Sequence, residues 1–462
     1  MVFSSLTFLY MFLPLLLIGY FLLPGRGKNI ILLLFSLLFY FYGEPKFLWL
    51  LIFFCLFNFA AGIVIERKAG RRISGVLLAA SLVIDFGWLF YFKYMDFFLG
   101  ILNDVGGLNL PLTRVIMPVG ISFFTFQTAA YVIDVYLKKA AACKNILDFS
   151  AYVCLFPQLV AGPIVRYQDV DRQLRHRVVN FEGFCEGMCR FSIGLGKKVL
   201  LANSLGAFCD ALSAIKAQTV LSGWLLAAGY VLWLYFDFSG YSDMAIGLGR
   251  IFGFTLPENF NFPLISGTVT EFWRRWHMTL SSWFKDYVYI PLGGSRCGKV
   301  RQFRNILIVW MLTGLWHGAG WQFVLWGLLF AVCLMAEKAG LYQWLVRHKL
   351  TAHIYVVLIL MVSFVIFQSP SLDIAFGTLK VMFGIGAAGI AEHSVLYILR
   401  SYALTLLISI VGAMPIFRWL QKKFEGKAWL WWAKALCCLM IFIICTAYLT
   451  DATYNPFLYF RF

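Results

Sequence analysis

Long apolar runs interrupted by short polar clusters set the pattern of this chain. Runs at 2–23, 30–42, 47–65, 76–99 and 115–137 each end at a glycine, a proline or a charge cluster. That punctuation is expected of membrane-spanning helices. Later runs at 184–201, 221–238, 354–367, 395–417 and 429–448 read the same way. With the irregular segments described next, the pattern predicts an all-α polytopic membrane protein with about eleven spans or half-spans, at roughly 20 residues per crossing.

Several segments do not fit a plain span. Residues 149–165 are apolar but short, contain Pro157 and Pro163, and have basic loops on both sides. This predicts a re-entrant element, which is tolerated only where it is buried in protein or lines a cavity. Residues 305–336 are basic at both ends and hold Gly314, Gly318 and Gly320 around His317, so they predict a helical hairpin or broken pair with the histidine at the break. From 272 to 289, Phe272, Trp273, Trp276, Leu280, Trp283 and Tyr287 recur near helical spacing, with Arg274, Arg275, Lys285 and Asp286 on the other face. That is an amphipathic helix in or dipping into the interface. The glycine-rich stretch 374–390 is not expected to cross fully. In the run 235–243, Asp237, Ser239, Ser242 and Asp243 either line a hydrophilic path or cap a helix end.

Composition makes the membrane assignment firmer. Of 462 residues, 61% are hydrophobic and only 13% charged, which leaves no sizeable soluble domain and favours one integral-membrane domain over 1–462. The formal charge of +17 does not point to nucleic acid, because the cations cluster in short loops at 26–28, 67–72, 138–144, 166–177, 296–304, 338–349 and 418–427. Assigning these loops to the cytoplasm places both termini on the extracytoplasmic side. The first run lacks the basic flank and cleavage site of a signal peptide and is expected to be retained. Eleven cysteines are scattered through apolar stretches without metal-type or disulfide-type spacing, so no metal site is expected.

Two histidines stand out in this hydrocarbon. His277 lies in Phe272-Trp-Arg-Arg-Trp-His-Met-Thr-Leu-Ser-Ser-Trp-Phe284 and His317 in Gly314-Leu-Trp-His-Gly-Ala-Gly-Trp321. An ionisable ring at membrane depth is a functional hypothesis, since burying it without a partner is unfavourable. Burial among Trp316 and Trp321 favours the neutral imidazole, which suits a general base acting on a hydroxyl. The plainer alternatives are a packed interhelical residue for His317 and an interfacial anchor for His277. His176, His348, His353 and His393 fall in or near loops. There is no Gly-x-Ser-x-Gly elbow, His-Glu-x-x-His pair or Walker loop. Base-assisted transfer from an activated donor to an acceptor is then the simplest chemistry.

These histidine runs, together with Pro118-Val-Gly-Ile-Ser-Phe-Phe-Thr-Phe-Gln127, Phe156-Pro-Gln-Leu-Val-Ala-Gly-Pro-Ile-Val-Arg-Tyr167 and Tyr289-Ile-Pro-Leu-Gly-Gly294, resemble the membrane-bound O-acyltransferase family, and its bacterial branch in particular. The likeness extends to the aromatic tail 454–462. It implies about eleven helices and re-entrant segments around a central funnel. It implies a catalytic role for His317 and a supporting one for His277. It further implies an acyl donor in the cytoplasm, acetyl-CoA, with no bound cofactor, an extracytoplasmic acyltransferase partner and a polysaccharide acceptor. Arg274, Arg275 and Asp237 are then candidate substrate contacts, and Trp276, Trp316 and Trp321 candidate tunnel lining. Within the same chemistry, D-alanyl transfer to teichoic acid is an alternative. Outside it, a polysaccharide or lipid exporter would use Asp85, Lys93, Asp96 and Asp237 as a polar path, although the absence of an internal repeat counts against a transporter.

Overall fold

The computed structural model describes residues 1–25, 27–451 and 457, so Arg26 of the first basic loop and all of the aromatic tail 454–462 except Phe457 lie outside the described residues. The described chain is helical and divides into two compact units, one of residues 1–191 and 241–257, the other of 192–240 and 258–462. Among the described residues, six helices are long and apolar enough to cross a membrane, or seven if the bent pair His393–Ser401 and Ala403–Gly412 forms one span. Other runs that look like spans in the sequence are shorter or broken.

The first unit contains α1 (Phe8–Leu22), α2 (Gly27–Gly43), α3 (Leu48–Arg67), α4 (Arg72–Lys93), α5 (Ile121–Tyr136) and α6 (Ile146–Cys154). Its centre is α5, packed on α3 and α4 and buried at nearly every position. Ser122, Thr125, Gln127, Thr128 and Asp134 explain why: such a helix is poorly suited to lipid but well suited to a protein interior. The run 149–165 is indeed short and broken. α6 stops at Leu155, and a further turn, Phe156–Leu159, follows. At the break, the Phe156 amide donates to Ser36 Oγ (3.1 Å) and Gln158 Nε2 to the Tyr152 carbonyl (2.6 Å), so non-helical backbone is satisfied inside protein.

The long helix α7 (Val220–Ile251) contains the whole run 235–243. Asp237, Ser239, Ser242 and Asp243 are therefore interior helix positions, and the cap reading does not hold. Asp237 instead meets Lys198 at 2.6 Å, both side chains being essentially sealed from solvent (0% and 1% exposed). The other charged groups of the supposed polar path also have local partners. Asp85 accepts from Asn58 and Thr128, Lys93 donates to Ser122 Oγ, and Asp96 receives Thr113 and the Arg114 amide.

In the second unit, α8 (Val269–Arg275) and α9 (Met278–Phe284) replace the single amphipathic helix expected over 272–289. The chain breaks at Trp276 and His277, and Phe272, Trp273, Trp276, His277, Leu280, Trp283 and Phe284 are buried rather than spread on an interface. The reason lies outside the segment. The Glu337 carboxylate accepts from the Val269 and Thr270 amides (2.7 and 2.9 Å), holding the start of α8 inside the protein.

The hairpin of α10 (Lys299–His317) and α11 (Trp321–Ala336) matches the expectation, with Gly318, Ala319 and Gly320 at the break. α12 (Lys349–Gln368) packs on α11. Two glycines let α10 and α11 meet backbone to backbone. A Cβ on Gly314 would strike the Phe323 carbonyl, and one on Gly327 the Trp310 carbonyl. Gly327→Leu should therefore force the hairpin apart, with a loss of about 1–3 kcal/mol typical of overpacking. A detergent melting curve checks this, and an unchanged midpoint would count against such close contact.

Candidate active site

His277 owes its position to an unusual backbone. Its φ of 43° and ψ of 52° lie in the left-handed region, which a residue with a Cβ adopts only when its surroundings compensate. Asn259, fully buried, supplies that compensation. Its carbonyl accepts from the Met278 amide (3.0 Å), while its side-chain Oδ1 accepts from the Thr279 amide (3.3 Å) and hydroxyl (3.0 Å). Those contacts identify Oδ1 as the acceptor end of the amide. His277 Nδ1, 3.2 Å from the same oxygen, is therefore the protonated nitrogen of the ring.

Aromatic rings hold both imidazoles. Phe238, one residue beyond Asp237 on α7, meets His277 edge to face at 4.8 Å, and Trp316 lies 5.7 Å from it. Trp316 is also 4.9 Å from the ring of His317, whose other neighbours are Trp326 at 5.0 Å and Phe367 at 5.2 Å. The two histidines, 40 residues apart in the chain, thus share one indole. Both are sealed from bulk solvent, at 1% and 6% exposure.

A cavity of about 810 Å³ adjoins this cluster, and Phe367 belongs to both. Tyr230, Trp233 and Phe323 give it aromatic faces, while Gln322 and Gln368 give it hydrogen-bonding groups. Its volume lies in the range of about 300–1,000 Å³ that small-molecule sites occupy. The cavity lies by the His317 end of α10, whose other end starts in the basic loop 296–304.

Other residues singled out in the sequence have different surroundings. Trp276 packs in a layer with Phe272, Phe260 and Phe364, next to the site. Trp321 is 55% exposed and does not wall an enclosed chamber. Arg274 is exposed, and Arg275 pairs with Glu271 at 2.9 Å and donates to the Asn261 carbonyl. Asp237 is engaged by Lys198. Sequence reasoning missed Asn259, Lys198, Trp326, Glu337 and Phe367. For Lys198 alone there was a signal, a lysine inside the apolar run 184–201.

The sequence model of the membrane-bound O-acyltransferase family matches residues 32–369. Among known proteins, the probable alginate O-acetylase of Azotobacter vinelandii is 40% identical over 417 residues, covering 89% of this chain and 84% of that protein. The protein of the same name from Pseudomonas aeruginosa is 41% identical over 407 residues, 85% of this chain and 76% of its own length. A peptidoglycan O-acetyltransferase of Helicobacter pylori is 33% identical over 431 residues, with 85% and 82% covered.

Proposed function

Because this chain belongs to the membrane-bound O-acyltransferase family, we propose that it takes an acetyl group from a cytoplasmic thioester, acetyl-CoA, and delivers it for O-acetylation of an extracellular or cell-wall polysaccharide. The observation that carries this reading is the pair of sealed histidines on one indole beside a polar and aromatic cavity. The names of the relatives support acetyl as the acyl group and a surface polysaccharide as the acceptor.

In this mechanism His317 removes the proton from an acceptor hydroxyl, and the oxygen attacks the thioester carbonyl carbon. As the tetrahedral species collapses, the carbon–sulfur bond breaks and the thiolate takes the proton from His317, which returns to its starting form. His277 is a positioning residue. With its Nδ1 proton committed to Asn259, its Nε2 is the nitrogen able to accept a hydrogen bond from a reacting group. Trp316 spaces the two rings. The hydroxyl belongs either to the polysaccharide or to an extracytoplasmic partner transferase that relays the acetyl group.

The basic loops are read as cytoplasmic, which leaves both termini and the cavity on the outer side of the cell membrane, in a bundle of about eleven crossing or partly crossing helices around a funnel. Residues 1–462 then work as one acyltransferase unit.

Ester analysis of surface polymers in a deletion strain tests the reading. Loss of O-acetyl esters, restored by the wild-type chain, is the expected result. Loss of D-alanyl esters instead would transfer the assignment to teichoic acid alanylation, and loss of exported polymer with acylation intact would favour the exporter.

A further inference from the structure

We propose that the first unit holds a second binding site, for a phosphate-bearing anion, in a cavity of about 840 Å³ lined by Lys28 at the start of α2 and by the loops around Lys144 and Arg177. Arg175, paired with Asp171 at 2.6 Å, and His176 lie on its rim, and Asp148, which accepts from Asn29, lines it as well. Loop cations that only orient a protein in the membrane are expected to be solvated. Lys144, Arg175 and His176 are exposed in that way, but Lys28 and Arg177 are half-buried.

Arg177 is fixed by neutral partners. Its Nε donates to Tyr20 Oη (3.0 Å), its Nη1 to Asn29 Oδ1 (2.6 Å), and its guanidinium lies over the Phe254 ring at 4.6 Å. Asn29 is itself held by Asp148 and the Leu174 carbonyl, so the fork is oriented before any ligand arrives. The remaining nitrogen, Nη2, is buried and has no hydrogen-bond partner. The Lys28 ammonium lies over the same Tyr20 ring as Arg177, at 5.1 and 5.6 Å from its centroid. Among the described residues, no carboxylate pairs with Lys28, Lys144 or Arg177.

Two cations gathered on one ring repel each other, and burial strengthens that repulsion. An anion with several acceptor oxygens would relieve it and would satisfy Nη2 in the fork geometry that suits phosphate. Two sources share this chemistry, the phosphates of a nucleotide-type donor such as CoA and the headgroup of an anionic phospholipid. Basic pockets between membrane helices take such headgroups. The CoA source rests on the acyl-transfer reading and the lipid source does not, and for both the readout is phosphate binding and not turnover.

The test uses the full-length protein in nanodiscs of phosphatidylcholine, titrated with CoA, and separately native mass spectrometry after reconstitution with phosphatidylglycerol. Saturable, salt-sensitive binding of CoA would identify the donor as the source, and retention of phosphatidylglycerol would identify the lipid. In either case Lys28→Gln with Lys144→Gln should weaken binding at least about tenfold, the scale of a lost charge-assisted hydrogen bond. Lys46→Gln, in the short helix Pro45–Phe47 outside the cavity, should leave it unchanged. Arg177→Gln should weaken it further, but it also removes the Tyr20 and Asn29 contacts, so the lysine pair is the decisive variant. Binding of neither probe, or equal binding by the wild type and the lysine variant, would overturn the proposal.

Discussion

Replacing His317 by glutamine should lower the rate of acyl transfer by about 10²- to 10⁴-fold, the contribution typical of a positioned general base. Glutamine is preferred to alanine here because the ring fills space among Trp316, Trp326 and Phe367, and a cavity would confuse loss of chemistry with loss of packing. The measurement is single-turnover transfer from labelled acetyl-CoA by a variant whose melting curve matches the wild type. Full activity in such a folded variant would remove His317 from the mechanism.

His277 should behave differently. Its contribution runs through one neutral hydrogen bond, worth about 1 kcal/mol, so His277→Gln is expected to lose closer to tenfold. His277→Asn should retain more activity than His277→Ala. Asparagine tolerates the left-handed backbone at this position and can still donate to Asn259. A merely structural histidine would show that rescue in the melting curve, but no loss of rate in a His277→Gln variant that melts like the wild type.

The second large effect concerns stability. Lys198→Met or Asp237→Leu alone removes one partner of an ion pair sealed from bulk solvent, and each should destabilise the fold by about 3–5 kcal/mol. The double variant should recover most of that loss, because two apolar groups remove the burden of desolvating an ion pair. Thermal unfolding of the four proteins in one detergent forms the cycle. Single variants that melt like the wild type would mean that the pair is hydrated, and Asp237 would again be a candidate for lining a substrate path.

Much of the architecture was legible along the chain because hydrophobicity and helix punctuation are local properties. The apolar runs predicted α1 to α5, glycines predicted the break beside His317, and the prolines with basic flanks predicted the interrupted segment after α6. The segment holding His277 was misread for a definite reason. Its aromatic spacing suits a helix, but Asn259 lies 18 residues upstream of the His277 ring it binds, and Glu337 over 60 residues downstream of the amides it binds. Periodicity carries no information about partners at those distances.

The same division describes the chemistry. By itself the sequence determined that two histidines would be carried into an apolar helical protein and that one of them would sit at a helix break, since composition and glycine placement act within a few residues. Only the tertiary structure decided that both rings would share Trp316, that Asn259 would settle which nitrogen of His277 keeps its proton, and that Lys198 would occupy Asp237. Each of those outcomes depends on which side chains meet when separate helices pack, and packing is a property of the assembled chain.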